Sequence, residues 1–225
     1  MFKRKLNQSD FLLIAANMLP VIGCWFYGLS PAEVFIVYAL ETIIAGFFTL
    51  LKMGIVTAVR KTDTWYNKGS SSNVSGLFFM LFFIFHYGIF VAVQTGIFIE
   101  VSGIGKQLNL SFFAFLSHWP NYFNGNLLYM LFGFIVSYGF NLIWNFIRTK
   151  QYQTISMIAL MFQPYGRIFV QQFTVILGST FLAFGADKIF ILIFATIKIL
   201  FEVFVDYENI LNKRMDEMKK ESGKQ

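Results

Sequence analysis

Apolar runs long enough to cross a bilayer recur along nearly the whole of this 225-residue chain. A helix needs about 20 apolar residues to cross roughly 30 Å of hydrocarbon. Inside lipid each segment must satisfy its own backbone hydrogen bonds, which makes such runs helical. The expected fold class is therefore all-α, a polytopic transmembrane helix bundle. Composition excludes the soluble alternative: only 13% of residues are charged, 56% are hydrophobic and the mean hydropathy is +0.61. A soluble domain carries about a quarter charged residues, so this chain lacks the polar surface to face water on all sides.

About six spans are expected, at 11–27, 32–59, 74–101, 126–147, 164–186 and 189–205. Gly28-Leu29-Ser30-Pro31 turns the chain after the first, and Arg60 to Asn73 reads as a polar loop with turn composition. Residues 102–125 carry Gly103, Gly105, Lys106 and Pro120 among aromatic residues, which suits a segment lying in the interface. The stretch 154–186 is too long for one straight span. Either 154–163 is interfacial and Pro164 starts the span at a position where proline is tolerated, or the whole stretch is one kinked, tilted helix. The first reading is preferred, and it puts Ile158 on a water-facing surface. The chain divides into a helical membrane domain, 1–206, and a charged cytoplasmic tail, 207–225.

Lysine and arginine set the orientation. With six spans, Lys106 and Lys188 fall on one side, Lys52, Arg167 and Lys198 lie within spans, and the rest of the 18 cations gather on the other side with both termini. The positive-inside rule makes that side cytoplasmic. The net charge of +6 is thus a topology signal, pointing to the lipid bilayer rather than to nucleic acid as partner. The expected location is a cell membrane, in a prokaryote the inner membrane. Lys3, Arg4 and Lys5 ahead of the first apolar run resemble a signal peptide, but Trp25-Phe26-Tyr27 replaces the small residues of a cleavage site, so the run reads as an uncleaved span. Cys24, the one cysteine, reads as a small buried hydrophobe.

Ionisable residues inside a span are functional candidates by default. At about 1.5 Å per residue, Glu41 lies about 13 Å from the outer face, His86 about 18 Å from the inner face and Lys198 about 13 Å from the outer face. All three fall in one layer near mid-membrane. The layer is either a relay, since histidine and a buried glutamate can exchange protons near neutral pH, or a structural clamp. Lys198 also has a local candidate partner in Glu202, four residues on. Arg167 either pairs with Glu41, if the helix is kinked, or snorkels to the inner interface, as Lys52 is expected to do. Asn17, Gln94, Gln171, Gln172, Asn141 and Asn145 read as interhelical hydrogen-bonding groups, with Asn141 and Asn145 on one face.

The chain holds no H-E-x-x-H, no G-x-S-x-G elbow, no Walker loop and no Rossmann fingerprint. A metal site needs three or four ligands, and Glu41 with His86 supplies two, so neither metal nor cofactor is assigned.

Tyr38-Ala39-Leu40-Glu41 followed by Gly46 and Lys52-Met53, then His86-Tyr87-Gly88 with Phe90, then Pro164-Tyr165-Gly166-Arg167, resemble a family of prokaryotic multi-span membrane proteins known only as a domain of unknown function. The resemblance implies a shortlist of Glu41, His86, Tyr87 and Arg167. It also implies histidines in relatives at the positions of Gln94 and Gln172, so that a histidine-rich metal site there would be degraded here. Three classes of function stay open. One is movement of a small solute or ion, or proton sensing, through a layer of Glu41, His86 and Lys198 or Arg167. The others are a structural or assembly protein that binds other membrane proteins and has no pathway of its own, and an intramembrane enzyme acting on metal or lipid; a homo-oligomer is a further candidate assembly.

Overall fold

The computed structural model describes residues 6–67, 70–101, 125–166, 168–170, 187–204, 213–214 and 216–217. Six α-helices and one β-hairpin organise them. Helix α1 (Gln8–Phe26) starts at a capping box, in which the Asn7 side chain accepts from the Asp10 backbone and the Asp10 carboxylate accepts from the Asn7 backbone. Gly28 takes a positive φ of 68°, a conformation glycine adopts without strain, and turns the chain. Helix α2 (Pro31–Arg60) begins at a second capping box, Ser30 with Glu33, with Pro31 in the first turn. Helix α3 is Gly76–Val101. Helix α4 (Gly125–Phe140) continues as a π-helix over Asn141–Ile147. Helix α5 is short, Met157–Phe162. Helix α6 (Asp187–Ile199) continues as a π-helix over Leu200–Phe204.

Among the described residues, four helices are long and apolar enough to cross a membrane: Gln8–Phe26, Ile36–Arg60, Gly76–Ile97 and Leu127–Ile147. Their outward surfaces bear this out physically. Along α3, Leu77, Phe78, Leu81, Ile84, Phe85, Ile89, Phe90 and Val93 are all exposed. An apolar face that long, left uncovered, suits hydrocarbon and not water. The interfacial segment expected at 102–125 and most of the fifth span lie outside the described residues.

Two elements differ from expectation. The connection after α2 is a hairpin, not a loop: β1 (Thr62–Asn67) pairs antiparallel with β2 (Ser70–Ser75), from Thr62 opposite Ser75 to Asn67 opposite Ser70. Its serine-rich composition hid the strands, which are fixed from outside. Trp65 packs on Phe78, Phe79 and Phe82 of α3, with ring centroids 5.5–5.9 Å apart. Asp63 pairs with Arg60 at 2.5 Å and accepts from the Met157 backbone at 2.6 Å, while Arg60 donates to the Ile155 carbonyl at 2.7 Å.

The second difference is α5. The chain does break at Gln163-Pro164, and helix resumes at 165–166 and 168–170. The helix before the break, however, presents no water-facing side at Ile158. Residues Met157 to Met161 are all buried against α2 and α3, in a core with Met53, Val56, Phe79 and Phe83. Ile158→Lys should therefore lower stability by about 3 kcal/mol, the order of cost of an unpaired charge in an apolar interior. Thermal unfolding in detergent measures it, and a wild-type midpoint would return Ile158 to a water-facing surface.

A second core joins α1, α2, α4 and α6 through Ala16, Cys24, Val37, Tyr38, Leu127, Phe134, Ile191 and Phe194. It surrounds the candidate site.

Candidate functional site

Four helices deliver polar side chains to one level of that core. Glu41 of α2 and Lys198 of α6 form an ion pair at 3.1 Å, with side chains 0% and 1% exposed. Lys198 also binds Glu202, one turn on, at 2.5 Å. Tyr138 of α4 donates to the other oxygen of Glu41. Asn17 of α1 donates through Nδ2 to Glu202 Oε2 at 3.3 Å and to the Leu13 carbonyl at 2.9 Å. Its backbone carbonyl accepts from the Tyr38 hydroxyl at 2.7 Å. The Lys198 ammonium lies 5.5 Å from the Tyr38 ring centre and 5.6 Å from that of Phe134, within range of cation–π attraction. The result is a buried centre of two carboxylates and one ammonium, walled by aromatic rings and held by amide and phenol groups.

Periodicity explains how each residue arrives. Tyr38 and Glu41 are three apart on α2, so both face α6 and α1. Lys198 and Glu202 are four apart and stack along α6. Glu202 lies in the π-helical segment Leu200–Phe204, and a turn of this kind commonly marks a functional position.

A second polar group sits nearer the α1 start. Lys52 donates to Asn141 Oδ1 at 2.8 Å and lies 5.5 Å from the centre of the Phe146 ring. Asn145 donates to Ser9 Oγ at 2.6 Å, and Asn141 to the same oxygen at 3.4 Å. Lys52 is thus anchored between helices rather than merely reaching for the interface. Asn141 and Asn145 join α4 to α1 from a shared face, as their spacing suggests.

His86 does not join Glu41. Its Nδ1 is 2.5 Å from the Tyr165 hydroxyl, and its ring stacks on Phe82 with centroids 5.1 Å apart. Its neighbour Tyr87 donates to the Thr42 carbonyl at 2.8 Å and so sets this part of α3 level with Glu41. Direction is what differs: Tyr87 faces α2, and His86, about 100° further round the helix, faces Tyr165. Gln94, two turns beyond Tyr87 on α3, is buried. Arg167 and Gln172 lie outside the described residues. Sequence reasoning passed over Tyr138, Tyr38 and the contact of Asn17 with Glu202. The one signal for Tyr138 is its position three residues before Asn141, on a face already marked as polar. Among the described residues no group of three or more His, Cys, Asp and Glu side chains is placed to hold a metal ion.

These observations define a class: a mostly helical protein whose long helices are apolar enough to span a membrane, enclosing a charged centre. Within that class the chain belongs to a family of unknown function, DUF6498, which it matches over residues 1–223. Neither a curated protein nor a solved structure matches it.

Proposed function

We propose that the chain is a six-span protein of a prokaryotic cell membrane with both termini in the cytoplasm. In this reading the Glu41–Lys198–Glu202 centre takes up and releases one proton, to sense protons or to couple them to movement of a small solute or ion. The supporting observation is the odd number of charges, two carboxylates sharing one ammonium. With all three ionised these three described groups sum to one negative charge, and an ion stranded in an apolar interior costs several kcal/mol. One proton on a carboxylate removes that charge. A pure clamp needs only one acid and one base, so the third group is what favours proton exchange.

Purified protein in liposomes should take up one more proton per chain than Glu41→Gln across the neutral pH range. The variant should still fold, because Lys198 keeps Glu202. Equal uptake would leave the second reading, a structural or assembly protein, which the nearly complete burial of Glu41 and Lys198 favours.

The orientation rests on the lysine and arginine distribution. On a Cys24→Ala background, Tyr27→Cys should react with an impermeant thiol reagent added to intact cells, and Ser71→Cys should react only after permeabilisation. The reverse pattern would invert the topology.

A further inference from the structure

We propose that the C-terminal end of α2 and the end of the π-helix that extends α4 together bind the headgroup of an anionic phospholipid, with Lys61, Arg148 and Lys150 holding its phosphate. The proposal needs only that these helices lie in a bilayer, and it stands apart from the proton-exchanging reading of the buried centre. Backbone conformation is the first support. Among the described residues three have a positive φ: Gly28, Lys61 at 64° and Lys150 at 57°. Glycine adopts such a conformation without a Cβ clash and is the usual residue where a helix ends in it. After α2 and after the π-helix the chain places lysine instead. Strained backbone that the surrounding structure holds in place recurs at ligand sites, and what lysine supplies there that glycine cannot is an ammonium group.

Charge is the second support. Lys61, Arg148 and Lys150 are exposed, and none has a carboxylate partner among the described residues. Arg60 draws the two ends together: it donates to the carbonyls of Gln153 at 3.5 Å and Ile155 at 2.7 Å, and the Gln153 amide donates to the Lys150 carbonyl at 3.0 Å. The start of α1 joins them through the bond from Asn145 to Ser9. The described acids at this end are turned to internal partners. Asp63 pairs with Arg60 and accepts from the Met157 backbone, and the buried Asp10 accepts from the Asn7 backbone. An anion from outside the chain is what these three cations fit, arginine offering phosphate a forked donor and lysine a point charge. The surface beside them is apolar, with Val59, Trp144 and Ile147 all exposed. Trp144 stacks on Phe140 with ring centroids 4.6 Å apart and lies one turn before Arg148, a placement that suits the headgroup level of a bilayer. A ligand matching both features carries acyl chains against the apolar side chains and a phosphate level with the cations.

Thermal unfolding of the full chain in neutral detergent micelles, with phosphatidylglycerol or phosphatidylcholine of identical acyl chains added, tests the site. Phosphatidylglycerol at about a hundred times its dissociation constant should raise the wild-type midpoint by about 5–10 °C, and phosphatidylcholine should not. Lys61→Gln, Arg148→Gln and Lys150→Gln should each raise the lipid concentration needed about fivefold. Lys188→Gln, which removes a cation that the charge distribution puts on the opposite side, should leave it unchanged. Lys61→Gly and Lys150→Gly separate binding from folding. Without lipid they should melt at or above the wild-type midpoint, because glycine relieves the backbone, and with phosphatidylglycerol they should show the same fivefold loss. Glycine variants that melt lower without lipid would overturn the proposal by giving the lysines a purely structural role. A wild-type response from all three glutamine variants would overturn it as well. So would equal stabilisation by phosphatidylcholine, in favour of an unselective amphiphile, or by inorganic phosphate, in favour of a free anion. Each of these results leaves the Glu41–Lys198–Glu202 reading as it stands.

Discussion

Replacing Lys198 with methionine should lower the stability of the folded chain by about 3–5 kcal/mol, the range for removing one partner of a buried ionic group. Methionine fills nearly the same volume, so the loss comes from charge. Glu41 and Glu202 would be left facing each other across an apolar core, with Lys198 gone from 3.1 Å and 2.5 Å respectively. Neutralising the stranded groups should reverse the damage. Lys198→Met combined with Glu41→Gln and Glu202→Gln should recover most of the stability, because neutral isosteres need no counter-charge. Denaturation in detergent micelles, comparing single and triple variants, measures the effect. A Lys198→Met protein as stable as wild type would mean that water or another cation compensates the acids. Glu41→Gln alone should be mild by comparison, since Lys198 retains Glu202.

Gly46→Val should be strongly damaging at the α2–α3 contact. A Cβ at position 46 would sit 2.5 Å from Tyr87 Cε1 and 3.1 Å from Cδ1, well inside the roughly 3.5–4.0 Å at which carbon atoms rest. The Tyr87 ring cannot easily yield. It stacks on Phe83 with centroids 4.7 Å apart, and its hydroxyl donates to the Thr42 carbonyl. Overpacking costs about 1–3 kcal/mol, and loss of that hydrogen bond adds about 1 kcal/mol. Gly88→Ala is the control, because a Cβ there meets nothing within 4 Å. Tyr87→Ala in the Gly46→Val background should relieve the clash and give a double variant less destabilised than the sum of the two changes. Additive losses would mean that 46 and 87 do not press on each other.

Helix positions were legible in the sequence because bilayer thickness dictates them. The expected spans 11–27, 32–59, 74–101 and 126–147 meet helices beginning at Gln8, Pro31, Gly76 and Gly125. The starts of the first two are marked by cap residues, Asn7 and Ser30. The hairpin was not legible, since six serine-rich residues without periodicity pair only because Trp65 and Asp63 are held by α3 and α5. Burial of α5 was hidden for a related reason: an apolar decapeptide reads the same whether it lies on a membrane surface or inserts between two helices.

For the site, the sequence by itself determined which ionisable residues lie within long apolar helical runs and how they are spaced along them, because rise per residue is fixed and such runs leave few places for charge. Glu41, Lys198 and His86 follow from that alone. The tertiary structure decided which of them meet. Depth is one coordinate, and the rotation of each helix about its axis is set by packing: Tyr87 against Gly46 turns His86 toward Tyr165, while Ala195 and Phe194 seat α6 so that Lys198 faces Glu41. Helices related by rotation share one sequence, so only the packed bundle distinguishes a glutamate paired with histidine from one paired with lysine.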